Sequence, residues 1–366
     1  PPDDLLSRGS FSSGASTSLR RDVGVLARKF TGVRDVTPQA WKRCEATFSS
    51  IEVWALTNEG LLRPRFVKGN VLFTVPKTAL IDRVACKEPD YNIYCQKAVG
   101  DFIRSRLKKR AKIDLNDQSI NRSLAYEGSI SGKLATIDLS SASDSLTTSL
   151  VSLLLPREWF NLLDDLRSTK TFIKGASHTN EMFSSMGNGF TFELESLVFW
   201  ALAQTIRTIS RTVGVISVYG DDIIVPASMA GMLIRFLSWV GFTTNVKKTL
   251  IRGPLRESCG GHYYRGLDVT PFYIRGRIKT LSDLVLLLNQ MKAWMIRTES
   301  DAISNGWEGP NLFVRFWYAW SRRIPAKIKG GTDLSSRAQL CALGAGKFAL
   351  VRDLRKHVKL EGELQN

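Results

Sequence analysis

Three histidines and five cysteines are all that 366 residues offer as soft metal ligands and thiols. The cysteines (Cys44, Cys86, Cys95, Cys259 and Cys341) are odd in number and scattered, so a disulfide framework is not expected and the chain reads as cytosolic. Cys259-Gly-Gly-His262 lacks a matching second ligand pair, which makes zinc a poor reading there. His178 stands alone in a polar stretch, and no catalytic role is assigned to it. Long apolar runs are missing too. Runs such as 197–203 and 284–288 fall far short of the ~18 residues that cross a bilayer. Pro1-Pro2-Asp3-Asp4 is polar and acidic, unlike a signal peptide, and the missing initiator Met reads as processing or a fragment. At 43% hydrophobic and 23% charged, the composition excludes disorder, collagen and coiled coil.

Acidic residues are outnumbered, 34 Asp and Glu against 51 Lys and Arg, leaving a net charge of +17. An excess of that size makes a field that recruits polyanions, phosphates first. The length suits two or three subdomains around a large core. Residues 7–18 are rich in Ser and Gly and run into Arg20, Arg21, Arg28 and Lys29. They read either as a mobile surface loop or as a phosphate-contacting arm. Residues 62–95 read as short extended pieces with several cations. A helical pattern from Ile93 carries Arg104, Arg106, Lys108, Lys109, Arg110 and Lys112, a solvated basic face. Residues 134–138 are a short apolar strand pattern, and SSASDS offers helix caps before the apolar run 146–155. A polar stretch (166–182), a glycine-rich segment and a helix-like pattern from Phe190 to about Ile209 follow. Strand and helix signals alternate here, so an α+β or α/β core is expected. From Leu281 the pattern is helical. Aromatics at Phe313, Phe316, Trp317, Tyr318 and Trp320 read mainly as packing and less readily as a base-stacking surface.

The sharpest chemical feature is Tyr219-Gly220-Asp221-Asp222. Apolar stretches at 215–218 and 223–225 flank a Gly-Asp centre, the composition of a tight hairpin. Its tip carries two adjacent carboxylates, which resist joint ionisation unless a cation sits with them. Mg²⁺, a hard ion satisfied by one or two carboxylates, is the natural candidate; an Asp-rich turn is the bland alternative. Asp138 ends an apolar strand 83 positions earlier, so the two strands can lie side by side in one sheet. Three carboxylates converging from them would hold two metals for in-line phosphoryl transfer. Asp144, six positions past Asp138, reads either as a helix cap or as an acceptor for a nucleotide 2′-OH. Ser184-Ser185-Met186-Gly187-Asn188-Gly189 gives a loop of bare amides that could approach a sugar-phosphate.

The order D-x5-D (Asp138, Asp144), S-x-G-x3-T (Ser185, Gly187, Thr191) and YGDD resembles that of viral RNA-dependent RNA polymerases. The strings VPKTALIDRVACKEP, IDLNDQSIN, IDLSSASDS, SSMGNGFTFELES, VYGDDIIVP, GFTTNVKKT and RESCGGHYYRGLDVTPFYIR resemble the replicase of single-stranded RNA bacteriophages, the leviviruses. The likeness covers roughly residues 62–290. It implies an α+β right-handed polymerase with an antiparallel palm sheet: fingers at 1–130, palm at 131–274 with a fingers insertion near 160–183, and a mostly helical thumb at 275–366.

The resemblance also implies roles. Asp138, Asp221 and Asp222 would be metal ligands, for two Mg²⁺ ions with Mn²⁺ able to substitute. Asp144 and Asn188 would select the ribose, and Ser185 and Gly187 would shape the loop beside the incoming nucleotide. Lys77, Arg83 and Lys87 would bind the triphosphate. Lys248, or Lys247, would be the general acid for pyrophosphate. Many RNA polymerases have Asn four residues after the motif Thr; here that position is Glu195, which moves sugar recognition onto Asn188. Expected partners are RNA template and product, ribonucleoside triphosphates and, by family, host elongation factors Tu and Ts and a ribosomal protein, in the cytoplasm of an infected bacterium. No membrane association is expected. The rival readings are a reverse transcriptase-like polymerase and a catalytically inactive basic RNA-binding protein.

Overall fold

A computed structural model describes the chain apart from residues 3, 53–63, 78–80, 275, 304–310 and 342–366, and apart from the side chains of 298–303 and 311–314. It divides into two compact units, Pro1–Gly260 and Gly261–Asn366.

In the first unit, β1 (Arg34–Val36) and β2 (Pro64–Phe66) pair in parallel. Strands β3 (Asn70–Pro76) and β4 (Asp82–Lys87) form an antiparallel hairpin. Next come β5 (Leu134–Ile137) and β6 (Leu139–Ser140), then β7 (Lys170–Ile173) and β8 (Ala176–Thr179). The last are β9 (Ser217–Tyr219), β10 (Asp222–Pro226), β11 (Thr243–Thr244) and β12 (Leu255–Ser258). The sheet that matters for chemistry is antiparallel, in the order β5-β10-β9. A second sheet runs β4-β3-β7-β8, and β6 pairs with β11.

The central sheet is rigid because it is buried. Ile137, Val218, Ile223, Ile224 and Val225 are all at or below 1% exposure, and each such side chain contributes about 1.5–3 kcal/mol on burial. The helix Thr191–Ile209 packs against β9, and the helix Ala227–Trp239 packs against β5 and β10. The first buries Leu194, Val198, Phe199, Leu202 and Ile206 along one stripe; the second buries Met229, Ala230, Leu233 and Leu237. Both stripes follow the 3.6-residue period. Arg256 is fully buried in this unit. Its Nε donates to the Leu134 carbonyl at 2.6 Å, and its terminal nitrogens donate to Gly253, Leu255 and Ile251 carbonyls. The guanidinium thus ties the β12 segment to β5.

Two local expectations change. The cap of the helix Thr148–Leu154 is Thr147, whose Oγ1 accepts from Leu150 N–H at 3.2 Å, rather than the SSASDS run. That run holds Ser141 at φ 53° and folds into a 3₁₀ turn, Ser143–Ser145, so Asp144 caps no α-helix. The polar stretch 166–182 contains the β7–β8 hairpin. It closes with Ile173 opposite Ala176 and with Lys174-Gly175 both at positive φ, 49° and 88°, as a type I′ turn requires.

In the second unit, β13 (Gly261–Tyr264) and β14 (Leu267–Asp268) form a hairpin, and β15 (Lys329–Gly331) pairs in parallel with β16 (Leu340–Cys341). The helices Leu281–Ile303 and Asn311–Ser321 pack together. Val285, Leu288, Met291, Trp317, Tyr318 and Ile324 form its core. Trp317 donates its indole N–H to the Leu288 carbonyl at 2.7 Å, so Trp317 and Tyr318 are packing residues. Phe316 is 38% exposed; the side chain of Phe313 lies outside the described residues. Among the described residues, no helix is long and apolar enough to cross a membrane.

Candidate active site

The β9–β10 hairpin turns on two residues. Tyr219 lies opposite Asp222, leaving Gly220-Asp221 as the loop. Gly220 takes φ +60° while Asp221 is not left-handed, the pattern of a type II′ turn with Gly first. Space also demands glycine: a Cβ there would lie 2.6 Å from the Phe192 ring and 3.0 Å from Glu195 Oε1. Gly220 N–H donates to Ser196 Oγ at 2.9 Å, and Tyr219 meets Phe192 edge-on at 5.0 Å. The turn is therefore seated on the helix Thr191–Ile209.

Register completes the acidic group. Ile137 pairs with Ile223, so the next position on β5's line, Asp138, falls opposite Asp222, and opposite residues of an antiparallel pair share a face. Asp138 is held by Asn245, whose Nδ2 donates to Oδ2 at 2.8 Å and whose N–H donates to the backbone carbonyl at 2.8 Å. Asp222 accepts from Cys259 N–H at 3.1 Å and from Ser258 Oγ at 3.2 Å. Burial and the neighbouring Asp221 push the Asp222 carboxyl up to about 6. Asp138 is also raised, by burial first, with Lys248 and Asn245 opposing and Asp221 and Glu257 adding. Glu195, beneath the turn, is pushed up to about 8 by burial and by Asp221, Glu193 and Asp144. Among the described residues, no three His, Cys, Asp or Glu side chains close a metal shell unaided. The donor set nonetheless fits Mg²⁺, which is held by one or two carboxylates and keeps several waters.

The glycine-rich loop lies against β4. Gly187 sits at φ +107°, and a Cβ on it would meet the Cys86 carbonyl oxygen at 2.1 Å. Cys86 N–H donates to the Met186 carbonyl at 2.8 Å, and Thr191 Oγ1 donates to the Ser185 carbonyl at 3.0 Å. A cavity of ≈ 230 Å³ opens here, its wall including Asp144, Ser185, Met186, Cys86 and His178. Partial burial raises the Asp144 carboxyl. Asn188 does not line this cavity. Its side chain turns into the loop, with Oδ1 accepting from Phe190 N–H at 2.9 Å.

The family model for the RNA replicase β-chain matches residues 1–361. The chain belongs to the RNA replicase β-chain family. It is 45% identical over 330 residues to the RNA-directed RNA polymerase β chain of Enterobacteria phage fr, covering 89% of this chain and 59% of that one. To the same protein of Escherichia phage MS2 it is 43% identical, covering 91% and 60%. The chain thus spans about 60% of the length of these curated relatives. The RNA-dependent RNA polymerase of a human picorbirnavirus is similar over 70% of this chain and 56% of its own, at 14% identity and a TM-score of 0.46.

In this replicase-family chain the cations divide. Lys248 Nζ lies 3.0 Å from Glu257 Oε1 and 3.9 Å from Asp138 Oδ1. Burial pulls its ammonium down, but Glu257, Asp138 and Asp222 outweigh that and the net direction is up. Lys247 is exposed, and its N–H donates to Asn245 Oδ1. Arg83 lies opposite Val75 and Lys87 opposite Val71, which puts both on one face of the β3–β4 hairpin. Leu72, Val84 and Cys86 on the other face line the cavity. Lys77 follows β3, with its N–H bonded to the Ile81 carbonyl. Among the described residues, no ion pair joins Lys77, Arg83 or Lys87 to the aspartates.

Sequence reasoning missed Asn245, Glu257, Ser258 and Cys259, which brace the acidic residues. The signal was available for one of them: Asn245 lies three positions before Lys248 in sequence. Cys259 is no thiolate, since burial and Asp222 push it up to about 12.

Proposed function

We propose that the chain is the polymerase part of a replicase. It would transfer nucleotide units from ribonucleoside triphosphates to the 3′-hydroxyl of a strand growing on an RNA template, releasing pyrophosphate, within a fingers, palm and thumb arrangement. The observation that carries the reading is the register that sets Asp138 opposite Asp222 at the turn bearing Asp221, inside a chain of the replicase family. Asp138, Asp221 and Asp222 would hold Mg²⁺, which when bound activates the attacking hydroxyl and stabilises the leaving pyrophosphate.

The chain's own residues supply the rest. Lys248 remains an ammonium beside the aspartates and has a proton to give to the departing pyrophosphate. Asp144, on its 3₁₀ turn in the cavity wall, offers an acceptor to a ribose 2′-OH. Gly187 lets the loop backbone lie on β4 and leaves Ser185 facing the cavity. Arg83 and Lys87, on the face of the β3–β4 hairpin away from the cavity, and Lys77 beyond β3 offer cations to phosphate. The net charge of +17 serves template and product channels, so RNA binding weakens steeply with salt. Host translation factors as further subunits belong to the same family-level reading.

Competition between labelled ATP and dATP opposite a template uridine tests it. Exclusive ATP incorporation supports the reading, and exclusive dATP incorporation turns it into a reverse transcriptase. RNA binding without either, with a bacterial extract added, favours an inactive binding protein.

A further inference from the structure

Another buried acid lies away from the aspartates. Glu88, 3% exposed, follows β4, and three donors converge on it. Asn70 Nδ2 donates to Oε1 at 2.6 Å; Gln96 Nε2 and Ser168 Oγ donate to Oε2 at 3.1 and 2.8 Å. Burial raises its carboxyl, opposed by these three bonds.

The two amides do more than satisfy Glu88. The other hydrogen of Asn70 Nδ2 reaches Ser185 Oγ at 3.3 Å, while Thr171 Oγ1 donates to Asn70 Oδ1 at 2.7 Å. Gln96 Nε2 also donates to the Leu166 carbonyl at 2.9 Å, which leaves Gln96 Oε1 to accept from Gly189 N–H at 3.0 Å. An amide side chain has one donor end and one acceptor end. If Gln96 were turned over, its NH₂ would face the Gly189 N–H, donor against donor. Both Glu88 oxygens accept from these amides, so Glu88, together with the Leu166 carbonyl on Gln96, holds their orientation, and those amides grip the glycine-rich loop at Ser185 and Gly189. A Cβ on Gly189 would lie 2.9 Å from Gln96 Cβ, so the loop has no slack on that side.

We infer that Glu88 is a positioning residue for the nucleotide seat, acting through Asn70 and Gln96 on the loop at 185–189. The step from loop to nucleotide rests on the polymerase reading above; the step from Glu88 to loop does not.

The test separates the two. Glu88→Gln keeps the volume and removes one acceptor, so one of its atoms must meet a facing donor. Amide hydrogen exchange on the full chain, parent against Glu88→Gln, reads the loop without needing activity. The expected result is about tenfold faster exchange at Gly189, with the helix Thr191–Ile209 and the β5-β10-β9 sheet unchanged. Unchanged exchange at Gly189, or acceleration spread evenly through the unit, overturns the inference. Gln96→Met removes the acceptor from Gly189 while keeping the length, and must reproduce the local change; if it leaves Gly189 protected, the inference fails. In single-nucleotide extension, Glu88→Gln is expected to raise the KM for ATP about tenfold with kcat within about twofold. A fall in kcat alone overturns the positioning role. If the parent does not extend RNA, the polymerase reading fails while the exchange result still decides the Glu88 link.

Discussion

Glu195 carries the most quantitative prediction. It is 7% exposed beneath the Gly220-Asp221 turn, among like charges, and titrates near 8 against an ordinary 4.5. At pH 7 the unfolded chain therefore ionises this group while the folded chain keeps it protonated. Each unit of difference is worth 1.36 kcal/mol, so retaining the proton costs the fold about 3 kcal/mol at pH 7 and about 1 kcal/mol at pH 5. The group's full contribution is present below pH 4.5 and is lost as pH rises through 8. Glu195→Gln imitates the protonated form at every pH. Denaturation by urea in EDTA should show the variant about 2–4 kcal/mol more stable than the parent at pH 7, and within about 1 kcal/mol of it at pH 5. Mg²⁺ should narrow the difference at pH 7, because it offsets the Asp221 charge that helps raise Glu195. A variant equally or less stable than the parent at pH 7, or a gain independent of pH, would refute the placement of Glu195 among those carboxylates.

Three further outcomes follow from the same geometry. Arg256→Met leaves carbonyls of Leu134, Gly253, Leu255 and Ile251 without their donor; a loss of about 2–4 kcal/mol is expected in urea denaturation, and no loss would deny the burial of that guanidinium. The Asp222 carboxyl, at about 6, must ionise to hold a cation, so RNA synthesis should rise between pH 5 and 7 and flatten above; a rate flat across that window would contradict it. Lys248→Gln should lower kcat by about 10²–10³-fold with little change in nucleotide KM, whereas Lys247→Gln should stay within about threefold; reversed effects in single-turnover kinetics would move the proton donor.

The acidic centre was legible because it is local: a strand that stops at an Asp, and a Gly-Asp turn between β-branched runs. The helix Thr191–Ile209 was legible from its 3.6-residue stripe. The β7–β8 hairpin was hidden because β8 is exposed along its whole length and neither strand alternates apolar with polar residues, so only the Lys174-Gly175 turn marks it. The braces on the aspartates were hidden for another reason. Asn245 reaches Asp138 from 107 positions away, and Cys259 reaches Asp222 from 37, so only tertiary folding supplies those bonds. Asn188, expected at the ribose, spends its carbonyl oxygen on Phe190 N–H within its own loop, a use that the motif spacing does not reveal.

Catalysis by the carboxylates on this sheet is read out by synthesis on a short RNA template with all four ribonucleoside triphosphates and Mg²⁺ or Mn²⁺, comparing the parent chain with Asp221→Asn. Template-length product is expected from the parent and at least a thousandfold less from the variant, with RNA binding retained by both. Equal product from the two would contradict the assignment of the turn as the catalytic centre.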